Sequence, residues 1–187
     1  CSQGAGKLPL PECDLAVISA HKRGGPVGIG ALLVRDFALL EPTGGHERGY
    51  RTGTENMPAA LGFAAALETG GPLRWAEQQE MRAYLGQRLS EVRLMTGRAH
   101  CDHILALTHP FLSAHAQLIG LDALGMAVSA GSACSSGTIR SSRVLEAFGV
   151  DADTAARTIR ISLGWSTTRA QVERFCQAWL GLGRTPA

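Results

Sequence analysis

Apolar residues along this chain gather in short runs, each closed by glycine, proline or charge. Leu15–Ser19 (LAVIS) is one such run and predicts a buried strand. It gives way to Ala20-His21-Lys22-Arg23-Gly24-Gly25-Pro26, which is turn chemistry. Gly30–Val34 (GALLV) predicts a second strand, so the chain should leave a sheet, turn and come back. The Gly-, Pro- and Thr-rich stretch 41–53 predicts a loop. Residues 56–68 are rich in Ala and Leu, with Pro58 in the first turn and Gly70-Gly71 past the end, and predict a helix.

The longest periodic stretch is 72–94. Trp75, Met81, Leu85, Leu89 and Val92 fall near helical spacing with Glu and Arg between them, which predicts one long helix linking two lobes. Beyond it, 104–107, 126–129 and 158–163 predict strands, and 142–148 predicts a helix that stops at Gly149. Thr168-x-x-Gln171 is a capping-box signature, and it opens a last helix with Val172, Phe175 and Trp179 on its apolar face. Strands alternating with helices indicate an α/β architecture.

Composition adds little to the fold and more to the setting. With 187 residues, 45% of them hydrophobic and 18% charged, the chain can bury a core. A net charge of +2 points to neither a nucleic-acid nor a membrane partner. The apolar stretch 111–128 is broken by His115, Gln117 and Asp122, so no transmembrane helix is expected. No N-terminal stretch reads as a signal peptide, and the start at Cys1 rather than Met is what a fragment would show. The five cysteines, Cys1, Cys13, Cys101, Cys134 and Cys176, are odd in number and include no C-x-x-C pair. That argues against a disulfide framework or zinc ribbon and for a reducing, cytoplasmic compartment.

Several residues are candidates for chemistry. Lys22 ends an apolar strand and precedes glycines, a pattern that a surface lysine beside a turn would also give. It is not in a phosphate-binding P-loop, since Gly6-Lys7 is followed by Leu8, which has no hydroxyl for Mg²⁺. Cys134 lies in a run of small and polar residues, unlike Cys176, which fits the last helix's apolar pattern. Arg160 stands mid-strand between Ile159 and Ile161 and so faces away from them. Its planar guanidinium suits a carboxylate held by two parallel hydrogen bonds, with a solvent-facing strand arginine as the alternative. His100-Cys101-Asp102-His103 has metal-ligand types but no second pair, and no metal is expected there.

Ser19-Ala20-His21-Lys22, followed by Gly25-Pro26-Val27-Gly28-Ile29-Gly30-Ala31-Leu32, strongly resembles the cofactor-lysine segment of class V aminotransferase-fold enzymes. Gly44-Gly45-His46-Glu47-Arg48-Gly49-Tyr50-Arg51-Thr52-Gly53-Thr54-Glu55-Asn56 is similar to a second segment of that family. Ala130-Gly131-Ser132-Ala133-Cys134-Ser135-Ser136-Gly137 is similar to the active-site loop of its cysteine desulfurase (NifS/IscS-like) branch. Thr158-Ile159-Arg160-Ile161-Ser162-Leu163-Gly164 matches the family's substrate-arginine strand. The four segments stand in the family's order.

The resemblance implies a pyridoxal-phosphate (PLP)-dependent transferase of fold type I, aspartate aminotransferase-like. Residues 1–71 would belong to the PLP-binding large domain, 72–94 to a linking helix, and 95–187 to a smaller α+β C-terminal domain with the cysteine loop. Lys22 would be the cofactor lysine and proton carrier. Ser19 and His21 would bond the cofactor phosphate, and Gln3 the ring hydroxyl. Thr54 would touch the phosphate of the neighbouring subunit in a homodimer, with a helix N-cap as the bland alternative for the same side chain. Arg160 would hold the substrate carboxylate. Cys134 would take the sulfur of L-cysteine as a persulfide, release L-alanine, and pass the sulfur to an acceptor or scaffold protein in iron–sulfur or thio-cofactor assembly. A selenocysteine lyase or other class V lyase is a sister reading, and a non-catalytic remnant that dimerises or binds a partner is another. The family's chain is about twice as long, so this sequence corresponds to its C-terminal half. The aspartate, the stacking group and the main phosphate loop of the cofactor site lie in the other half.

Overall fold

Alternation decides the first strand. In Leu15–Ser19 (β1), Ala16 and Ile18 are buried while Leu15 and Val17 face solvent. The run is therefore half-buried, not the fully buried strand that its unbroken apolar character predicts. It pairs antiparallel with Gly30–Val34 (β2), from Leu15 opposite Val34 to Ser19 opposite Gly30. The computed structural model describes residues 10–69, 73–94, 103–131 and 142–183, and the chain divides into two units, Cys1–Arg74 and Trp75–Ala187.

In the first unit, helix α1 (Met57–Thr69) packs Phe63 against Ile18 and Ala20. The opposite face of the ribbon, with Leu15, Val17 and Leu32, is exposed. Asn56, not Thr54, caps α1: its side-chain oxygen accepts from Ala59 N–H at 3.1 Å and its carbonyl from Ala60 N–H at 2.9 Å. The cap alternative for Thr54 is thereby corrected, because the helix starts two residues later than a Thr54 cap requires.

The second unit is built on a four-stranded antiparallel sheet in the order β3-β4-β6-β5: Arg93–Leu94, Ile104–Thr108, Thr158–Ser162 and Ser129–Ala130. Leu105 opposite Ile161 and Leu107 opposite Ile159 put four buried side chains on one face. Against them pack Leu85 and Leu89 from the region of α2 (Leu73–Arg88), Leu121 from α3 (Ala114–Ala123), and Val172, Phe175, Cys176 and Trp179 from α6 (Arg169–Gly181). The α6 residues follow the i, i+3, i+4, i+7 spacing of a single helical face. Its capping box forms as predicted, with Thr168 Oγ1 accepting from Gln171 N–H and Gln171 Oε1 from Thr168 N–H.

Two predicted elements change. The helix expected over 72–94 ends at Arg88. Leu85 and Leu89 bury as the spacing requires, but the Val92 carbonyl accepts from Thr108 N–H at 2.9 Å and Arg93–Leu94 joins the sheet. Sheet pairing there outcompetes the helical pattern. The strand expected over 126–129 is shorter and lies later, at Ser129–Ala130, because Met126 N–H bonds back to the Leu121 carbonyl and is still finishing α3. Two short helices, α4 (Arg143–Ala147) and α5 (Ala152–Ala156), are capped by Ser142 and Asp151. No helix among the described residues is long and apolar enough to cross a membrane.

Candidate active site

The strand β1 delivers Ser19 to its end, and the chain then makes a single tight helical turn, Ala20–Arg23. Ala20 is wholly buried and anchors that turn, while His21 and Lys22 are exposed. Ser19 Oγ and His21 Nδ1 share a 2.8 Å hydrogen bond. The turn closes at Gly24, whose φ of 78° is the left-handed conformation that favours glycine. Gly25 leaves little room for a side chain, since a Cβ there would lie 3.1 Å from the Ala20 carbonyl oxygen and 3.2 Å from the Ala66 Cβ on α1. A hydroxyl, an imidazole and an amine thus sit within four residues at an open strand end.

These groups fit the phosphorylated carbonyl cofactor that the resemblance implies. The amine can bind a carbonyl, and the bonded hydroxyl–imidazole pair keeps one proton, on Ser19 or on His21 Nε2, to donate to a phosphate oxygen. Thr54 lies in the same unit, exposed in the loop before α1. Gln3 and Cys134 fall outside the described residues; the described chain ends its approach to Cys134 at Gly131, one residue past β5.

Arg160 belongs to the second unit, in the central strand β6 between Ala106 of β4 and Ser129 of β5. Its neighbours Ile159 and Ile161 are buried in the core, so its side chain occupies the opposite face, as alternation predicts. Its Nε is buried and has no hydrogen-bond partner among the described residues. An acceptor such as a carboxylate could satisfy this donor.

Other chemistry-bearing groups have structural work. His100, Cys101 and Asp102 lie outside the described residues, while His103 is buried at the head of β4 and its carbonyl accepts from Leu163 N–H at 2.8 Å. His109 is buried, and its Nδ1 accepts from Phe111 and Leu112 N–H at 3.3 and 3.0 Å. Burial pushes its pKa below the ordinary value, with the Arg157 charge adding to the effect against a bond to the Leu182 backbone. Gln117 is also buried; its amide donates to the Leu112 and Arg157 carbonyls, and its oxygen accepts from Trp179 Nε1 at 3.0 Å. No short motif announces this network, because its members come from three elements. Cys176 is buried, and desolvation pushes its thiol pKa up, which suits a core filler and not a nucleophile.

A family profile for aminotransferase class-V matches residues 7–175. A cysteine desulfurase IscS from Anaeromyxobacter sp. (strain Fw109-5) is 37% identical, the alignment covering 91% of this chain and 46% of the relative. A cysteine desulfurase from Gluconacetobacter diazotrophicus is 35% identical over 96% of this chain and 49% of its own. Among solved structures, a NifS-like protein superimposes with a TM-score of 0.79 at 29% identity, over 93% of this chain and 48% of that one. A NifS-like protein from Rickettsia africae gives 0.74 at 29%, over 95% and 50%. The chain spans about half the length of the curated relatives it matches.

Proposed function

Because this chain belongs to the aminotransferase class-V family, whose fold and PLP dependence come with that membership, we propose that it is the lysine-bearing half of a cysteine desulfurase. The reaction converts L-cysteine to L-alanine and leaves a persulfide on Cys134. The observation that carries this reading is the grouping of Lys22 with Ser19 and His21 on one turn at the end of β1. The cofactor, when bound, supplies an electron sink for charge at the substrate Cα.

The chain's own residues divide the rest. Lys22 Nζ would hold the cofactor and would carry the Cα proton. Ser19 and His21 orient the phosphate from the turn, Gln3 the ring hydroxyl, and Thr54 the phosphate of a partner subunit. Arg160 holds the substrate carboxylate in two parallel hydrogen bonds. The Cys134 thiolate attacks the substrate sulfur: the new S–S bond forms, the C–S bond breaks with its electron pair left on carbon, and protonation gives the methyl group of alanine. A sulfur-acceptor or scaffold protein then takes the persulfide sulfur for iron–sulfur or thio-cofactor assembly. A reducing, cytoplasmic setting fits a cysteine set that is odd in number and has no C-x-x-C pair.

In the complete enzyme, borohydride reduction in the presence of PLP tests the central assignment. The cofactor should be fixed on the peptide containing Lys22, and capture on Lys7, the other lysine in the sequence, overturns it. In the complete enzyme, Cys134→Ser should still bind L-cysteine but lose persulfide and sulfide. Loss of sulfide in Cys101→Ser or Cys176→Ser with full activity in Cys134→Ser would assign the nucleophile elsewhere.

A further inference from the structure

The segment 44–55 is a hydrogen-bonded knot. Gly44 N–H donates to the Gly49 carbonyl at 2.8 Å, His46 N–H to Arg51 at 3.0 Å, and Arg51 N–H back to His46 at 3.2 Å. The strands of the knot lie so close that a Cβ at Gly44 would stand 1.9 Å from the Arg51 carbonyl oxygen. At its tip Glu47 and Arg48 have φ of 48° and 59°, a left-handed conformation that non-glycine residues hold only where the surroundings enforce it. One side is braced by Tyr50, whose ring lies 5.0 Å from that of Phe37. Arg51 Nη1 donates to the Gly53 carbonyl at 2.6 Å.

The base of the knot is fastened by side chains. His46 Nδ1 lies 2.7 Å from Glu55 Oε1. An ionised carboxylate can only accept, so Nδ1 carries the proton. The Glu55 carboxyl is held below its ordinary pKa by its own backbone N–H and by His46, which keeps it ionised as the bond requires. An exposed pair of this kind is weak alone. Here it joins two residues nine apart across a backbone bent against its preference, so it acts as a latch on that bend. Thr54 is the residue immediately inside the latch.

We propose that His46 and Glu55 are positioning residues, whose hydrogen bond closes the 44–55 knot and fixes the backbone that presents Thr54. The purpose of the latch rests on the reading of Thr54 as a phosphate ligand; the latch itself does not.

Amide hydrogen exchange on the whole chain reads the latch directly. In His46→Ala and Glu55→Ala, exchange of the His46 and Arg51 amides should quicken roughly tenfold, the effect of one lost hydrogen bond. The Leu163 amide in the second unit serves as the unaffected control. His46→Asn, whose side-chain N–H can stand where Nδ1–H stood, should restore most of the protection. Unchanged exchange in His46→Ala overturns the proposal, as does an equal loss in His46→Asn and His46→Ala. PLP binding to Thr54→Val in the complete enzyme separates the two readings. Weakened binding with intact protection supports both, whereas wild-type binding overturns the role of Thr54 and the purpose of the latch while the exchange data still report the latch.

Discussion

Gly30 stands opposite Ser19, and a Cβ at that position would lie 2.6 Å from the Ile18 carbonyl oxygen. At Gly24 a Cβ would meet nothing within 4 Å, but the φ of 78° would be strained. The two glycines on either side of the Lys22 turn therefore fail differently when substituted. Gly24→Ala should cost about 1 kcal/mol from backbone strain alone, and Gly30→Ala about 1–3 kcal/mol because β2 must move off β1. Exchange of the Ala20 amide, which donates to the Ile29 carbonyl at 3.1 Å, should rise more in Gly30→Ala. His109 makes a second residue-scale prediction. Its folded pKa is depressed, so at low pH the unfolded chain binds more protons than the folded one. The associated stability is full above the ordinary value of 6.5 and is lost as pH falls below it toward the folded value. Urea melts across pH 8 to 5 should show this decline (a range of about one to two units either side of a histidine pKa), and a pH-independent midpoint in that range would contradict it.

Elements rise or fall on whether their backbone and buried polar groups find partners. Gln117 ties α3 to the end of β6 and to α6, with both its amide and its oxygen used. Gln117→Leu keeps the volume but leaves the Trp179 N–H and two carbonyls without their partner, so a loss of about 2–4 kcal/mol is expected in denaturant melts followed by tryptophan fluorescence. The same accounting explains what was legible in the sequence. β1 and β2 were readable to the residue because each is an apolar run bounded by turn chemistry. The last helix was readable because Thr168 and Gln171 form a local capping box. The end of α2 was not, since Leu85, Leu89 and Val92 satisfy helical spacing and the competing bond comes from Thr108, far along the chain. α3 was hidden by its own pattern: it buries Gln117 and exposes Ile119. In the candidate site, Ser19, His21 and Lys22 stand out only by the resemblance of their segment to the family's, since a lysine before glycines also reads as a surface residue beside a turn; for Arg160, strand alternation assigns the face. The His46–Glu55 bond follows no spacing rule and needed the knot to be seen.

The two units are unequally supplied with core. The first rests on Ile18, Ala20 and Phe63, whereas the second has Leu85, Leu107, Leu121, Ile159 and Trp179 all nearly inaccessible. Burial of large apolar side chains contributes about 1.5–3 kcal/mol each, so the second unit should hold its structure under conditions that open the first. Limited trypsin digestion should therefore cut first in the first unit, where Arg35, Arg48 and Arg51 are exposed, and leave a resistant fragment within Trp75–Ala187. Early cleavage inside the second unit would show the opposite order. Thiol labelling gives an independent check: Cys13 should react in the native chain, and Cys176, buried with a raised pKa, only after unfolding.

The face that Arg160 occupies in β6 also limits how this gene can change length. Arg157 reaches back to the carbonyls of His109 and Pro110 and so pins the start of the strand. Losing a single codon between Arg157 and Arg160 would turn the guanidinium toward Leu105 and Leu107 and push an isoleucine out of the core. Losing two would keep the arginine on its face but slide it about 7 Å along the sheet. Neither keeps the group in place, so the spacing from Arg157 to Arg160 is fixed by the face and position that Arg160 must hold.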